Sequence, residues 1–122
     1  MAGSFLRFYL REGQYVHHLP AWEWLLERAN KLGIRGGSAF RAIAGFGRHH
    51  TLHEAHFFEL AGTLAIEVEF IVTDQEAEEL FELIRKEHVR LFYARVPAQF
   101  GVLNPDRNDP SFGAGSSQGP TG

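Results

Sequence analysis

Residues 64–84, which read LAIEVEFIVTDQEAEELFELI, contain the two periodicities that decide the fold. Up to Val72, apolar residues occupy every second position, a period that is typical of a half-buried strand. Thr73 and Glu76 then have the spacing of a capping box, in which each side chain accepts a hydrogen bond from a backbone N–H at the start of a helix. The apolar residues that follow have helical spacing: Ala77, Leu80, Phe81 and Ile84. The stretch therefore predicts a strand that leads directly into an amphipathic helix.

The same unit of strand and helix occurs earlier in the chain. Residues 5–11 alternate between an apolar face and a face of arginine and tyrosine side chains, which predicts a strand. Residues 20–32 change to helical spacing. The predicted buried stripe of this helix is Trp22, Leu25, Leu26, Ala29 and Leu32. Trp24 falls off that stripe, so we expect it to face a neighbouring molecule.

Two further strands complete a recurring pattern. One is predicted from Ser38 to about Gly47 and the other over residues 91–96, where Pro97 ends the strand or marks a sheet edge. The order strand, helix, strand, strand, helix, strand is that of the α+β class with a ferredoxin-like split βαβ fold. Right-handed crossovers put both helices on one face of an antiparallel four-stranded sheet, with strand order 4-1-3-2.

The predicted domain covers residues 1–103. Residues 104–122 are rich in Asn, Asp, Pro, Gly and Ser and are predicted to form a flexible tail. Phe112 is its only large apolar residue. Folding of the tail over a ligand is the alternative, and disorder is the favoured interpretation.

The predicted strand order has a consequence for charge. The first and third strands are neighbours, so Arg7 and Arg11 should lie near Glu67 and Glu69 on the sheet face without helices. Arg41, on the second strand, is expected to approach the same carboxylates from the other side. A mixed face of arginine and tyrosine is typical of subunit interfaces, and a solvated polar face is the alternative.

Composition excludes several classes of function. The chain has 122 residues, 44% hydrophobic and 22% charged, and a net charge of -3, which disfavours nucleic-acid binding. It has no cysteine, so thiolate catalysis and disulfides are excluded. No apolar run approaches the roughly 20 residues that span a bilayer, and the first ten residues lack the pattern of a signal peptide. We therefore expect a soluble cytoplasmic protein that does not insert into membranes.

A glycine-rich segment is the first candidate for a binding site. Gly45 and Gly47 at the end of the second strand allow a ligand to approach the backbone closely, and the cation Arg48 follows them. Exposed N–H groups and a guanidinium together suit a phosphate. Glycines at this position also occur in ordinary turns, so composition alone leaves both interpretations open.

The segment Gly-Phe-Gly-Arg at residues 45–48, with Gly-Ile-Arg at residues 33–35 ahead of it, resembles the motif of the PII signalling proteins. There it stands at the base of a long loop. The sequence Leu-Arg-Phe-Tyr-Leu at residues 6–10 and His53 are still more similar to an uncharacterised PII-like branch. The resemblance covers about residues 5–100. It implies a homotrimer that binds an adenine nucleotide in clefts between subunits. It also implies that loop 48–62 regulates a membrane transporter or an enzyme.

The resemblance also implies a set of nucleotide-binding residues. Ser38 would lie near the adenine. The loop-base side of the cleft would be formed by Gly45, Phe46, Gly47 and Arg48. Across the cleft, the phosphates would meet Lys86 and Arg90, with Arg95 as a later candidate. The turn at 86–90 lacks the glycine-rich, lysine-containing sequence of PII proteins, so AMP or ADP is expected rather than ATP.

A cluster of histidines supports an alternative function. Four of them share one predicted loop: His49, His50, His53 and His56. Imidazoles at helical spacing can share a metal ion, and trimeric CutA-type divalent-cation tolerance proteins have a similar architecture. Histidines in a polar loop also occur without a metal, and they can respond to pH.

No catalytic signature is present. The sequence contains no Gly-x-Ser-x-Gly elbow, no His-Glu-x-x-His pair and no P-loop. Glu67 and Glu69 are flanked by arginines and are interpreted as ion-pair partners rather than an acid and a base. We therefore expect that the protein is not an enzyme.

Overall fold

Four long strands and two helices form the body of the structure, a computed structural model that describes residues 1–46, 53–54, 65–106 and 108. In chain order the elements are β1 (Ala2–Arg11), β2 (Tyr15–Val16), β3 (Leu19–Pro20), α1 (Ala21–Lys31), β4 (Gly37–Arg41), β5 (Ala44–Gly45), β6 (His53–Glu54), β7 (Ala65–Thr73), α2 (Asp74–Lys86) and β8 (Phe92–Gln99). The predicted tail lies outside the described residues beyond Asn108. Neither helix of the described chain is long and apolar enough to cross a membrane.

The four long strands make one antiparallel sheet in the order β4-β7-β1-β8. Counted along the chain, this is the order 2-3-1-4, which is the predicted order 4-1-3-2 read from the opposite edge. Alternate residues of β1 and β7 pack with both helices in a single core. The predicted α+β class, with a four-stranded antiparallel sheet and two helices, is therefore confirmed.

Phe8 on β1 lies at the centre of that core and is fully buried. Its ring makes edge contacts with Phe70 of β7 and Phe81 of α2, with centroid separations of 6.1 Å in both cases. Val68 and Leu80 are also fully buried beside it. Burial of each such side chain stabilises the fold by about 1.5–3 kcal/mol, so this layer holds α2 against the sheet.

The start of α2 is fixed by the predicted capping box. The Thr73 hydroxyl accepts from the Glu76 N–H at 3.1 Å, and the Glu76 carboxylate accepts from the Thr73 N–H at 2.9 Å. The predicted apolar stripe of this helix is buried, and its members are Ala77, Leu80, Phe81 and Ile84. The local sequence therefore predicts both the start and the buried face of this helix, which packing against the sheet stabilises.

The predicted stripe of α1 is partly wrong. Trp24 is only 2% exposed and belongs to the core, whereas Leu32 is 38% exposed at the C-cap, after the helix has ended. Ala21, Leu25 and Ala29 define the centre of the buried face. Trp24 lies three residues after Ala21 and one before Leu25, so its large indole falls on the same face. Trp24 thus packs within the chain and does not face a neighbour.

The second long strand is shorter than predicted. β4 ends at Arg41 instead of continuing to residue 47. After one more hydrogen bond, from the Ala42 N–H to the Ala65 carbonyl, the chain leaves the sheet. It then forms a separate two-residue pairing, in which Gly45 of β5 lies opposite His53 of β6. Gly45 is therefore held by its own small ladder, separate from the main sheet.

Gly37 permits a close approach between β4 and the core. A Cβ atom at this position would overlap the ring of Phe70, which is only 2% exposed. At neighbouring Gly36, a Cβ would meet no atom within 4 Å. Two adjacent glycines therefore have different roles, and only Gly37 is required by packing.

We expect Gly37→Ala to lower the free energy of unfolding by roughly 1–3 kcal/mol, because the buried ring must shift to admit the methyl group. Urea unfolding followed by circular dichroism, at one fixed protein concentration, measures the change. Gly36→Ala is the matched control and should remain within about 0.5 kcal/mol of the original. Equal stability of the two variants would contradict the packing described here.

The hairpin of β2 and β3 has a strained tip. Its two-residue turn consists of His17 and His18, both with positive φ, at 50° and 69°. Such turns favour Asn-Gly, because non-glycine residues are strained in the left-handed region. The His17 Nε2 lies 2.7 Å from the Glu87 carboxylate, which anchors the tip to the residue that caps α2.

His18→Gly is expected to raise the free energy of unfolding by about 0.5–1 kcal/mol, because glycine relieves the left-handed strain while the His17 contact remains. A chemical denaturation series gives the value. His18→Val should have the opposite effect, since a β-branched residue is disfavoured at positive φ. A destabilised glycine variant would mean that the His18 side chain stabilises the fold by more than its strain costs.

Candidate functional site

An open cleft of about 530 Å³ lies beside the edge strand β4. Its walls come from the segment before β4, from the end of β7, from β1 and from the chain after β8. The lining residues are Phe5, Arg35, Gly36, Gly37, Ser38, Glu69, Phe70, Ile71, Phe100, Gly101 and Val102. Of the residues proposed from the sequence, Ser38 is the one that lines this cleft.

The cleft combines apolar walls with polar groups at one edge. Phe5, Ile71 and Phe100 provide flat or branched apolar surface, and Ser38 is exposed on β4 opposite Glu69 in the register. Because β4 is a sheet edge, the outward side of its backbone has N–H and C=O groups with no strand partner among the described residues. A planar ligand with its own donors and acceptors is the kind of molecule that such a site can bind.

The chain after β8 is fixed in place by the first residue. The Phe100 N–H donates to the Met1 carbonyl at 2.9 Å, and the Met1 amino group donates to the Phe100 carbonyl at 2.9 Å. Phe100, Gly101 and Val102 consequently form one wall of the cleft. No sequence pattern near Ser38 indicates this wall, because its residues come from the far end of the chain. The glycine pair ahead of Ser38 was the available signal for the opposite wall.

The loop-base residues lie beyond β4. Gly45 belongs to β5, and Phe46 beside it is 66% exposed. Gly47 and Arg48 lie outside the described residues. Arg41, just before this segment, forms an ion pair with Glu12 at 2.5 Å. Arg41 lies opposite Ile66 in the register, so its position differs from the one expected beside Glu67 and Glu69.

Lys86 and Arg90 lie on either side of the turn that follows α2. Lys86 is the last residue of the helix, Arg90 precedes β8, and both are exposed. His88 between them has a φ of 56°, which turns the chain towards β8. Neither Lys86 nor Arg90 forms an ion pair with any residue that the structure describes. Both cations are therefore available to an anionic ligand.

Arg95 is bound within the chain. Its Nε donates to the Ser4 hydroxyl at 3.0 Å, Nη1 to Glu78 at 2.8 Å and Nη2 to Asp74 at 3.3 Å. The hydrogen bond to Glu78, followed by the one to Asp74, raises the pKa of Arg95. This network joins β8 to the first turns of α2, so the guanidinium already has three protein partners.

A single chain does not bring the two halves of the predicted site together. Ser38 lies on β4 and Arg95 on β8, at opposite edges of the sheet and separated by three strand spacings, about 14 Å. Arg41 and Phe92 lie at the same end of the sheet, because they align with Leu10 and Tyr9 of the central strand. The end of β4 and the turn that contains Arg90 therefore lie at the same end of the sheet but at opposite edges.

Of the four loop histidines proposed as metal ligands, only His53 lies among the described residues. His49, His50 and His56 lie outside the described residues, and His53 is described only as part of β6. Across the described residues, no group of three or more acidic or histidine side chains is arranged to hold a metal ion. Metal binding by the loop stays a prediction, which replacement of the four histidines by alanine and titration with Zn²⁺ would test.

The sheet surface opposite the helices carries the predicted contacts of Arg7 with Glu67 and Glu69, whereas Arg11 has no ion-pair partner among the described residues. We call it the helix-free face and define it by Phe5, Arg7, Tyr9, Arg11, Ser38, Phe40, Glu67, Glu69, Ile71, Phe92, Ala94 and Val96. Arg7 donates to Glu69 through Nε at 2.9 Å, and its Nη2 lies 2.7 Å from the same carboxylate. Glu67 lies 3.7 Å from the Arg7 Nε. Hydrogen bonds to Tyr9 and then Glu69 raise the pKa of Arg7.

Comparisons with known proteins place this geometry in context. The DUF190 family, described as "Uncharacterized ACR", matches residues 3–90. A curated relative, a UPF0166 protein of Aquifex aeolicus strain VF5, is 32% identical over 83 residues, which cover 68% of this chain and 79% of the relative.

Solved structures show a similar fold. CPII from Thiomonas intermedia K12, bound to ADP and bicarbonate, has a TM-score of 0.57 and 21% identity, covering 84% of this chain and 91% of CPII. A putative PII-like signaling protein from Thermus thermophilus has a TM-score of 0.53 and 14% identity, covering 80% of this chain and 90% of that protein. The chain therefore belongs to the DUF190 family and has the fold of the PII-like proteins.

Proposed function

We propose that this protein is a PII-like regulator that binds AMP or ADP in clefts between the subunits of a homotrimer. Loop 48–62 then regulates a partner, a membrane transporter or an enzyme, in the cytoplasm. The observation that carries the proposal is the cleft beside β4, which contains Ser38, the residue expected near the adenine. The ADP-bound state of CPII, a protein of similar fold, supports the choice of ligand.

The cleft suits the base of the nucleotide. The exposed backbone edge of β4 offers N–H and C=O groups to the edge of the ring, and the Ser38 hydroxyl adds a donor or an acceptor. Phe5, Ile71 and Phe100 provide the apolar surface that a flat ring requires. Base recognition through an exposed backbone edge needs few specific side chains, which agrees with a site that contains two adjacent glycines.

The phosphates require cations from a second subunit. Lys86 and Arg90 are exposed and unpaired among the described residues, but they lie at the opposite edge of the sheet from Ser38. A neighbouring subunit is therefore needed to place them beside the loop base of residues 45–48. Arg95 already has Ser4, Glu78 and Asp74 as partners, so we assign it a structural role.

The number of available cations limits the number of phosphates. Each added phosphate brings more negative charge and further acceptor oxygens that must be matched. Lys86, Arg90 and Arg48 suit a mono- or diphosphate, and the short turn 86–90 offers no further cation for a third phosphate. The preference for AMP or ADP over ATP follows from this balance of charge.

A homotrimer would cover the helix-free face. Four of its apolar side chains are strongly exposed in the single chain: Phe40, Ile71, Phe92 and Val96. Exposed apolar surface of this kind, beside a central ion pair, is typical of an interface between copies. Nucleotide binding between the copies would select one arrangement of loop 48–62, and the partner would respond to that arrangement. The proposed activity is regulation by binding, with no chemical conversion.

The proposal is tested by calorimetric titration of the full chain with AMP, ADP, ATP and cyclic AMP. We expect saturable binding near one nucleotide per subunit, with ATP weaker than ADP. Arg90→Ala should weaken ADP binding by about 10- to 100-fold, since a charge-assisted hydrogen bond contributes about 1.5–3 kcal/mol. Arg48→Ala should have a comparable effect.

The matched control is Arg85→Ala. Arg85 is exposed on the last turn of α2, where it contacts Glu82 at 3.6 Å, so its removal should leave ADP affinity within about twofold. Unchanged affinity in Arg48→Ala would mean that the cleft is wrongly placed. Absence of binding by every nucleotide would reject the nucleotide proposal itself.

A further inference from the structure

The four charged side chains of the helix-free face, Arg7, Arg11, Glu67 and Glu69, are unevenly paired among the residues that the structure describes. Arg7 directs Nε and Nη2 at Glu69, with distances of 2.9 Å and 2.7 Å. Among the described residues, Glu67 has one ion-pair contact, with the Nε of Arg7 at 3.7 Å, too long for a hydrogen bond. Its side chain is 30% exposed, so water still solvates the carboxylate in the single chain.

Arg11 is the complementary charge on the same face. It is exposed at the end of β1, and its side chain has no ion-pair or hydrogen-bond partner among the residues that the structure describes. In the register it lies opposite Ala65, whereas Glu67 lies opposite Tyr9. The face therefore presents one unpaired cation and one poorly paired carboxylate, displaced from each other along the strands.

Covering this face would make the uneven pairing of its charges costly. A carboxylate that loses its water without gaining a donor is strongly destabilised, so Glu67 needs a second cation once a neighbour packs over it. Arg7 is already engaged by Glu69. Among the described residues of the face, Arg11 is the remaining cation, and a second copy of the chain brings one with it.

We propose that Arg11 of one subunit pairs with Glu67 of the next, so that a closed ring of three such pairs fixes the assembly of the homotrimer. This inference rests on the homotrimer of the proposed function. Each subunit gives one arginine and receives one, as a cyclic head-to-tail interface requires. The exposed aromatic side chains Phe40 and Phe92 on the two sheet edges supply the apolar contact around the pairs.

Charge reversal with the full chain tests the pairing. Native mass spectrometry and light scattering after gel filtration measure the oligomeric state over a range of protein concentrations. We expect Arg11→Glu and Glu67→Arg each to raise the dissociation constant of the trimer at least 10-fold. The matched controls, Lys31→Glu and Glu27→Arg on the outer surface of α1, change the charge equally and should leave assembly unchanged.

Mixing separates a pair between subunits from a pair within one. When Arg11→Glu and Glu67→Arg chains are mixed, two of the three interfaces in a mixed trimer regain opposite charges. Recovery of mixed trimers therefore supports the proposal and shows that both variants fold. Rescue in the double variant R11E/E67R without recovery in the mixture would place the pair within one chain and overturn the proposal.

The remaining outcomes separate this inference from the proposed function. Unchanged assembly of Arg11→Glu and Glu67→Arg would overturn the pairing while leaving the trimer and its nucleotide sites in place. A monomeric original chain would overturn the pairing and the trimer together. Calorimetry with ADP on the same samples then shows whether nucleotide binding survives without assembly.

Discussion

The antiparallel pairing of β1 with β7 is the constraint on which the rest of the molecule depends. Nine consecutive residue pairs, from Gly3 with Thr73 to Arg11 with Ala65, fix the register of the two central strands. Because side chains alternate, this register sends Leu6, Phe8 and Leu10 into the core and Arg7 towards Glu69 on the other face. A slip of one residue would exchange the two sets, so core packing and the charged face enforce the same alignment.

The hydrogen-bond and ion-pair partners of each cation show whether it stabilises the fold or is available to a ligand. Arg95 joins β8 to α2 through Asp74 and Glu78, and Arg7 joins the two central strands through Glu69. Lys86 and Arg90 have no such partners in the described part of the chain. A cation that its own chain leaves unpaired at the surface can give its full hydrogen-bonding capacity to a ligand or to another subunit.

Most of the strands and helices could be predicted from sequence patterns that span only a few residues. The alternation of residues 64–72 and the capping box of Thr73 and Glu76 are complete within a few residues, so the strand and the helix could be predicted without tertiary contacts. Trp24 was misplaced because two adjacent helical positions differ by only about 100° around the axis, and packing against the sheet selects between them. The early end of β4 could not be predicted either, because Gly45 pairs with His53 outside the main sheet and no local sequence pattern indicates that pairing.

The site was harder to predict because its parts come from distant segments. Ser38 was found through the family resemblance, but the wall formed by Phe100–Val102 depends on hydrogen bonds between Met1 and Phe100. Arg95 was expected at the nucleotide, and its contact with Ser4 spans 91 positions in the sequence. The match to the DUF190 family and the fold shared with PII-like proteins confirm the family resemblance.

The position of Pro97 has a consequence for how copies of this chain can associate. It lies within β8, one edge of the sheet, and β4 at the other edge is only five residues long. Proline offers no N–H to an incoming strand, and an edge of five residues offers that strand few backbone groups with which to pair. Strand-by-strand growth into an open fibril is thereby disfavoured. Association through sheet faces, which can form a closed ring of subunits, is the more favourable route.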